Sequence, residues 1–228
     1  MHVVITGANR GIGREMATQL TAEGHEVSGT ARDGSCDVAL DVTDPAQQAQ
    51  FAAQLGDRPI DLLVCNAGVY LDKGLPLEEY TAEIWSQSLA ANVTGVFLTI
   101  QALLPNVRLG STPKIAIISS QMASHARAPG GSYAYRASKA AVLNLGRNLS
   151  TDLRPEGIAV GIYHPGWVRT DMGGKQGEIS VQDSAAGLLK EFDVLNVATT
   201  GCFHTWDGRV QAFWMAEVRA STHPTHIP

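Results

Sequence analysis

The chain has 228 residues, room for one large α/β domain, since such domains often exceed the usual ~100–200 residues. Hydrophobic residues make up 44% and charged residues 17%, enough for a sizeable core and unlike a disordered chain. Seventeen basic against 22 acidic residues give a formal net charge of -5 with no basic run, which argues against nucleic acid as a partner.

Apolar runs alternate with longer helical patterns along the chain. HVVIT (2–6) is a β-branched run and predicts the first strand, followed by a Gly-rich turn and a helix that ends at Gly24. HEVSGTA (25–31) predicts a second strand. ARDGSCDVAL is too short and polar for a full crossover helix, so a loop or single turn is expected before a third strand at DVALDV. DPAQQAQFAAQLG predicts a helix with Asp44 as N-cap and Pro45 at its first position. IDLLVCNAG (60–68) reads as a buried strand, residues 78–108 as one long helical pattern, and KIAIISS (114–120) as the next strand. A helix over 132–153, a strand at 157–166, a helix near 181–191 and a last strand at 201–208 complete the order. Strands that are apolar throughout and separated by helices predict a parallel seven-stranded sheet with helices on both faces. Right-handed crossovers make this the doubly wound Rossmann arrangement, and the absence of linkers or repeats predicts one domain over 1–228.

No apolar segment approaches the ~18–20 residues expected of a membrane span, and MHVVITGANRGIG lacks the regions of a secretion signal. Cys36, Cys65 and Cys202 are odd in number and widely spaced, a pattern of reduced thiols that predicts a cytoplasmic protein. Cys65 falls in a strand, where a small buried side chain is expected. The histidines are scattered, and the close pair His223 and His226 lies in a proline-containing tail, so no metal site is expected.

TGANRGIG (6–13) sits between the first strand and the first helix. There Gly7 permits the tight turn, Gly11 lets backbone approach a pyrophosphate, and Gly13 allows close helix–strand packing. The helix N-terminus offers free N–H groups and positive dipole to phosphate. The second strand ends GTARD, with Arg32 where discrimination between dinucleotides is expected and Arg10 inside the glycine loop. A guanidinium fork can hold a 2′-phosphate, whereas two solvated arginines with Asp33 on the ribose is the other arrangement the residues allow.

On the predicted 132–153 helix, Tyr135 and Lys139 are four apart and share a face. Tyr133 is six before the lysine, about 240° round the helix, and points elsewhere. A free phenol titrates near ~10, and a nearby ammonium is expected to favour the phenolate and lower that value. Tyr135 thus has the chemistry of a general acid for a carbonyl under reduction and a general base for the reverse. Ser119 and Ser120 at the end of the fifth strand point to opposite faces, and one of them can donate a hydrogen bond to a substrate oxygen.

The chain resembles the short-chain dehydrogenase/reductase family across nearly its whole length. The resemblance rests on TGANRGIG (6–13), DV (41–42), NAG (66–68), Asn92, ISS (118–120), YRASK (135–139) and PGWVRT (165–170), in family order. The TGxxxGxG spacing separates it from the family's extended branch. The run HPGWVRTDMGG, the YRASKAA helix and the late WDG are similar to C-factor-like carbonyl reductases.

The resemblance implies a nicotinamide cofactor bound by Gly7, Asn9, Arg10, Gly11, Ile12 and Gly13. Arg32 would select NADP(H) over NAD(H), Asp41 and Val42 would meet the adenine, and Asn66, Ala67 and Gly68 would line the ribose. An NAG turn that merely ends a strand is the plainer alternative. The resemblance also implies a catalytic set of Asn92, Ser120, Tyr135 and Lys139. Ser120 is the favoured serine, Lys139 bonds the nicotinamide ribose, and Asn92 holds a water for proton relay; otherwise Asn92 is a buried, helix-bending residue. Pro165, Gly166, Val168 and Thr170 would contact the nicotinamide. The family serine commonly precedes the tyrosine by thirteen residues and here by fifteen, which implies a longer loop, QMASHARAPGGS, over the site.

Met122, His125, Tyr133, Trp167 and Met172 are candidate walls of a substrate pocket, or plain packing. DMGGKQGEIS (171–180) is short and Gly-rich, so an open pocket for a small carbonyl or alcohol is expected. Homodimers or homotetramers formed by pairing the long helices near 80–108 and 132–153 are common in the family, and monomers occur among carbonyl reductases; the sequence leaves these open. So does the choice between an enzyme and an NADPH-binding regulatory or signalling member. The absence of a GxSxG elbow argues against a hydrolase.

Overall fold

Seven apolar runs form strands: β1 (His2–Thr6), β2 (Glu26–Ala31), β3 (Val38–Ala39), β4 (Leu62–Cys65), β5 (Lys114–Ile118), β6 (Ala159–His164) and β7 (Phe203–Thr205). The computed structural model describes residues 1–126 and 128–212 of the chain, so the His223 and His226 pair lies outside the described residues. All seven strands are parallel, in the order β3-β2-β1-β4-β5-β6-β7. Val3 pairs with Val27 on one side and Leu62 on the other, which puts the switch in strand order between β1 and β4. In doubly wound sheets that switch opens a crevice at the carboxyl ends of the strands, where ligands bind.

Among the described residues, six α-helices cover the sheet: α1 (Gly11–Ala22), α2 (Pro45–Leu55), α3 (Ala82–Leu89), α4 (Gly95–Arg108), α5 (Tyr133–Leu153) and α6 (Val181–Val194). Side-chain alternation sorts the core into two layers. Val3, Ile5, Leu62 and Val64 face Met16 and Leu20 of α1 and Leu188 and Phe192 of α6. Val4, Leu63, Cys65, Ile115 and Ile117 face Phe51 of α2, Ile100 and Leu103 of α4, and Val142 of α5. Asp44 caps α2 as expected, accepting from the amides of Ala46 at 2.8 Å and Gln47 at 3.3 Å, with Pro45 in the first turn.

The pattern read as one helix over 78–108 is divided. A short 3₁₀ turn occupies Leu77–Glu79, and α3 begins after Thr81, whose hydroxyl accepts from the Ile84 amide at 3.3 Å. From Ala82 the chain is helical to Arg108, but Ala90–Thr94 forms a π-helical turn between α3 and α4. Single π turns concentrate at functional sites, and Asn92 lies in this one. The 27-residue stretch is long and apolar enough, by length and composition, to cross a membrane, with a mean hydropathy of 1.4 over its window. This corrects the expectation that no segment approaches that length. Packing accounts for the apolarity, because Val96, Ile100, Leu103 and Val107 are buried in the core.

Most strands end earlier than their apolar runs predict. β4 stops at Cys65, β5 at Ile118 and β6 at His164, and the residues beyond leave the ladder to build the crevice.

Candidate active site

The turn after β1 is tied to the end of β4 by polar bonds that two of the motifs supply. The Thr6 hydroxyl accepts from the amides of Asn66 and Ala67, both at 3.1 Å. The Asn66 side-chain amide donates to the carbonyls of Thr6 and Gly7, both at 3.0 Å. Gly7 has φ 67°, and a Cβ there would meet the Ala67 Cα at 3.0 Å. A Cβ on Gly13 would collide with the Gly7 carbonyl and the Asn66 amide. These glycines are therefore required by close packing and by left-handed backbone. Gly11 has φ 54°, and a Cβ there would lie 3.5 Å from the Thr170 methyl, so the loop after β6 reaches the glycine turn. Ile12 packs half-buried against the α1–α6 layer.

At the end of β2 the charged groups stay in solvent. Asn9 donates to Asp33 at 3.1 Å, and Arg10 forms an exposed ion pair with Asp171 at 3.5 Å. Asp41 accepts from the Thr43 amide at 2.9 Å and hydroxyl at 2.7 Å. Partial burial acts to raise the Asp41 pKa, but these bonds and the charge of Arg32 hold it below the usual carboxylate range. The Val42 side chain is buried in the core against Gly95, which leaves only its backbone for a ligand.

Tyr135, Lys139 and Ser120 converge beyond the ends of β4 and β5. Tyr135 and Lys139 are both buried, and the Lys139 ammonium lies 5.7 Å from the Tyr135 ring centroid. Lys139 Nζ donates to the Ile118 carbonyl at 2.9 Å. The two serines separate as their positions predict. Ser119 donates to the Lys139 carbonyl at 3.0 Å, whereas Ser120 is hydrogen-bonded to the Tyr135 side chain and accepts from the Met122 amide at 3.1 Å. Burial dominates both titrating groups, pushing the phenol up to about 12 and the ammonium down to about 8. From the spacing, Lys139 is expected to lower the phenol; in this buried site desolvation acts the other way, and the Ser120 hydrogen bond is the one influence that lowers it.

Asn92 is fully buried with its side chain committed to protein. Its Oδ1 accepts from the Val69 amide at 2.8 Å, and its Nδ2 donates to the Val69 carbonyl and the Ser138 hydroxyl, both at 2.9 Å. A Cβ on Gly68 would lie 2.9 Å from Asn92 Oδ1 and 3.5 Å from Lys139 Nζ, so NAG, Asn92 and Lys139 form one packed unit.

The model of the short chain dehydrogenase family matches residues 1–179. The chain belongs to that family. Myxococcus xanthus C-signal is 39% identical to this dehydrogenase over 161 residues, 69% of this chain and 95% of that protein. The 1-hydroxy-2-glutathionyl-2-methyl-3-butene dehydrogenase of Rhodococcus sp. (strain AD45) is 31% identical over 223 residues, 90% of this chain and 96% of that protein. Among solved structures, NADPH-bound carbonyl reductase from chicken fatty liver superposes with a TM-score of 0.85 at 31% identity, covering 92% of this chain and 98% of the other.

In this short-chain dehydrogenase the turn after β6 is packed as tightly as the glycine loop. Gly166 has φ 88°, and a Cβ there would collide with Ile179 and Trp206. The Pro165 carbonyl accepts from the Ser184 hydroxyl at 2.6 Å, Val168 is buried, and the Thr170 hydroxyl accepts from the Gly173 amide at 3.0 Å. Trp167 is 44% exposed, not core, and donates to the Gly173 carbonyl at 2.9 Å. Lys73, which no motif singles out, donates to the carbonyls of Met172 at 3.0 Å and Gly173 at 3.2 Å, joining the segment after β4 to the Gly-rich loop. Tyr133 is 40% exposed, edge-on to Tyr80 at 5.3 Å. Met172 and His125 are also exposed, and Met122 is half-buried.

The ring that covers Tyr135 lies in none of the motifs. Tyr70 stacks on it with centroids 4.1 Å apart and planes 19° apart. The available signal was Tyr70 lying two residues after the NAG motif.

Proposed function

We propose that this dehydrogenase transfers hydride between NADP(H) and a small carbonyl or alcohol substrate, with Tyr135 as the proton donor in reduction and acceptor in oxidation. The observation that carries the reading is the convergence of Ser120, Tyr135 and Lys139 beside the crevice at the β1–β4 switch. The glycine turn fits a dinucleotide, since the packing that excludes a Cβ at Gly7, Gly13 and Gly68 brings the turn after β1 and the NAG segment together at the crevice. Gly11, Asn9 and Ile12 complete the phosphate turn at the N-terminus of α1, with Ala67 and Asn66 toward the ribose. Arg10 and Arg32 would take the 2′-phosphate, Asp41 and the Val42 backbone the adenine, and Pro165, Gly166, Val168 and Thr170 the nicotinamide end. The bound cofactor supplies the hydride for reduction and accepts it in oxidation.

The chain's own groups handle the proton. Ser120 donates to the substrate oxygen and holds it beside the phenol. With its pKa pushed up to about 12, the phenol is protonated at neutral pH and ready to give its proton to the developing alkoxide. Lys139, pushed down to about 8, exchanges protons near neutral pH and returns one to the tyrosinate. Asn92, through Val69 and Ser138, fixes the segment beside Lys139. Three free thiols suit a cytoplasmic setting for this chemistry.

The likeness to C-signal favours a second reading, in which the protein binds NADPH as a signalling component with little turnover. A panel of aldehydes and ketones assayed with NADPH and NADH in parallel separates the two. Turnover is expected with NADPH above NADH, and Tyr135→Phe is expected to lose about 10²- to 10⁴-fold in kcat. Full activity in Tyr135→Phe would overturn the acid–base assignment. Tight NADPH binding with no carbonyl turned over would select the signalling reading.

A further inference from the structure

The segment between β4 and α3 holds a buried carboxylate that the reading above does not use. Asp72 is fully buried. Its Oδ2 accepts from the Ala134 amide at 2.8 Å, the Tyr135 amide at 3.3 Å and the Tyr80 hydroxyl at 3.2 Å, while its Oδ1 is buried with no hydrogen-bond partner. These amides belong to the first turn of α5, so the cap of the tyrosine-bearing helix comes from 62 residues away. The local candidate is not used. Ser132 stands at the N-cap position with φ 52° and makes no side-chain cap bond, its hydroxyl lying 2.6 Å from the Tyr70 hydroxyl. Tyr70, two residues before Asp72, stacks on the Tyr135 ring.

Burying a carboxylate with one oxygen unpartnered is costly, and a neutral Ser or Asn could cap a helix without that cost. Capping alone therefore does not explain this residue. We propose that Asp72 is a positioning residue for Tyr135: its buried carboxylate fixes the first turn of α5 and acts on the phenol which that turn carries. The groups around Tyr135 are Ser120 from the end of β5, Lys139 from α5, and, from the 69–81 segment, Tyr70 stacked on the ring and Asp72 on the backbone amide. Burial is the largest influence on the phenol; Ser120 opposes it, and Tyr70 and Asp72 add to it.

The inference rests on Tyr135 being the proton-transfer group, and the experiment keeps the two claims apart. Asp72→Asn retains an acceptor for the Ala134 and Tyr135 amides but removes the charge. The pH profile of kcat for alcohol oxidation, which needs the phenolate, is expected to move to lower pH by on the order of one unit. Tyr80→Phe removes one donor from the carboxylate, together with the acceptor of the Tyr133 amide, while leaving the Asp72 bonds to the Ala134 and Tyr135 amides in place, and is expected to move the same profile to higher pH. If no alcohol is oxidised, tyrosinate absorbance titrated with NADP⁺ bound, less that of Tyr135→Phe, gives the same comparison. A folded Asp72→Asn protein whose profile superimposes on the wild type overturns the proposal. If that variant does not fold, an unmoved Tyr80→Phe profile overturns it instead. Activity retained by Tyr135→Phe would sink the acid–base reading, whereas an inactive Tyr135→Phe with an unmoved Asp72→Asn profile sinks this inference alone.

Discussion

Arg10 shows how a side chain can be available for a ligand while already holding a partner. Its ion pair with Asp171 spans 3.5 Å with both side chains largely in water, a geometry that contributes little to stability. A phosphate offers the same guanidinium a stronger, two-bond acceptor. Arg32 is close enough to Asp41 to help hold its carboxyl below the usual range. Replacing both, Arg10→Ala with Arg32→Ala, is expected to raise KM for NADPH about 10- to 100-fold and to leave that for NADH nearly unchanged. Parallel steady-state assays check this, and an equal loss for both cofactors would mean that the arginines do not read the 2′-phosphate. At this scale the sequence was most informative where spacing is local. Tyr135 and Lys139 are one helical turn apart, so their shared face follows from counting. Asp72 and Tyr135 meet only because β4 and β5 are neighbours and α5 starts above them, and no local pattern carries that information.

Elements were legible in order and type, less so at their ends. The runs extend past β4 and β6 because residues such as Ala67 and Pro165 remain half-buried after the ladder has stopped. The periodicity over 78–108 is continuous in the sequence, yet Thr81 caps a new helix and Ala90–Thr94 widens to a π turn, which places Asn92 against Val69 and Ser138. A polar side chain that bonds a distant loop leaves no trace in helical periodicity. The α2 cap, by contrast, could be read directly from Asp-Pro. Because both Asp44 bonds go to first-turn amides, Asp44→Ala is expected to cost about 1 kcal/mol and lower Tm by about 2–4 °C, with activity retained. Calorimetry on the two proteins checks it.

The parallel strand order could be inferred at the scale of the whole molecule from the alternation of runs and the hand of crossovers. What holds the foot of the sheet together could not. His2 begins β1 as a buried side chain, with Nδ1 2.7 Å from the Pro59 carbonyl and Nε2 3.0 Å from the Ser28 hydroxyl. It therefore joins β1 to β2 on one side and to the turn before β4 on the other. The carbonyl can only accept, so Nδ1 carries the proton, and the neutral ring satisfies both contacts. Burial is the main influence and lowers the His2 pKa below its ordinary value, with Arg58 nearby acting in the same direction. A histidine depressed in the folded state binds its proton more readily when the chain unfolds. Its contribution is thus complete above the unfolded value of about 6.5 and is lost as pH falls through the lower folded value. Urea unfolding is expected to show wild-type stability declining between about pH 7 and pH 5, the range in which this imidazole titrates. In His2→Asn, which has no titrating ring, that decline is expected to be shallower even though the variant is less stable at pH 7. An equal slope in the two proteins would assign the acid sensitivity to other groups. Asp61, which accepts from the His2 amide at 2.9 Å and whose carboxyl is also held low, would be the next to test, at lower pH.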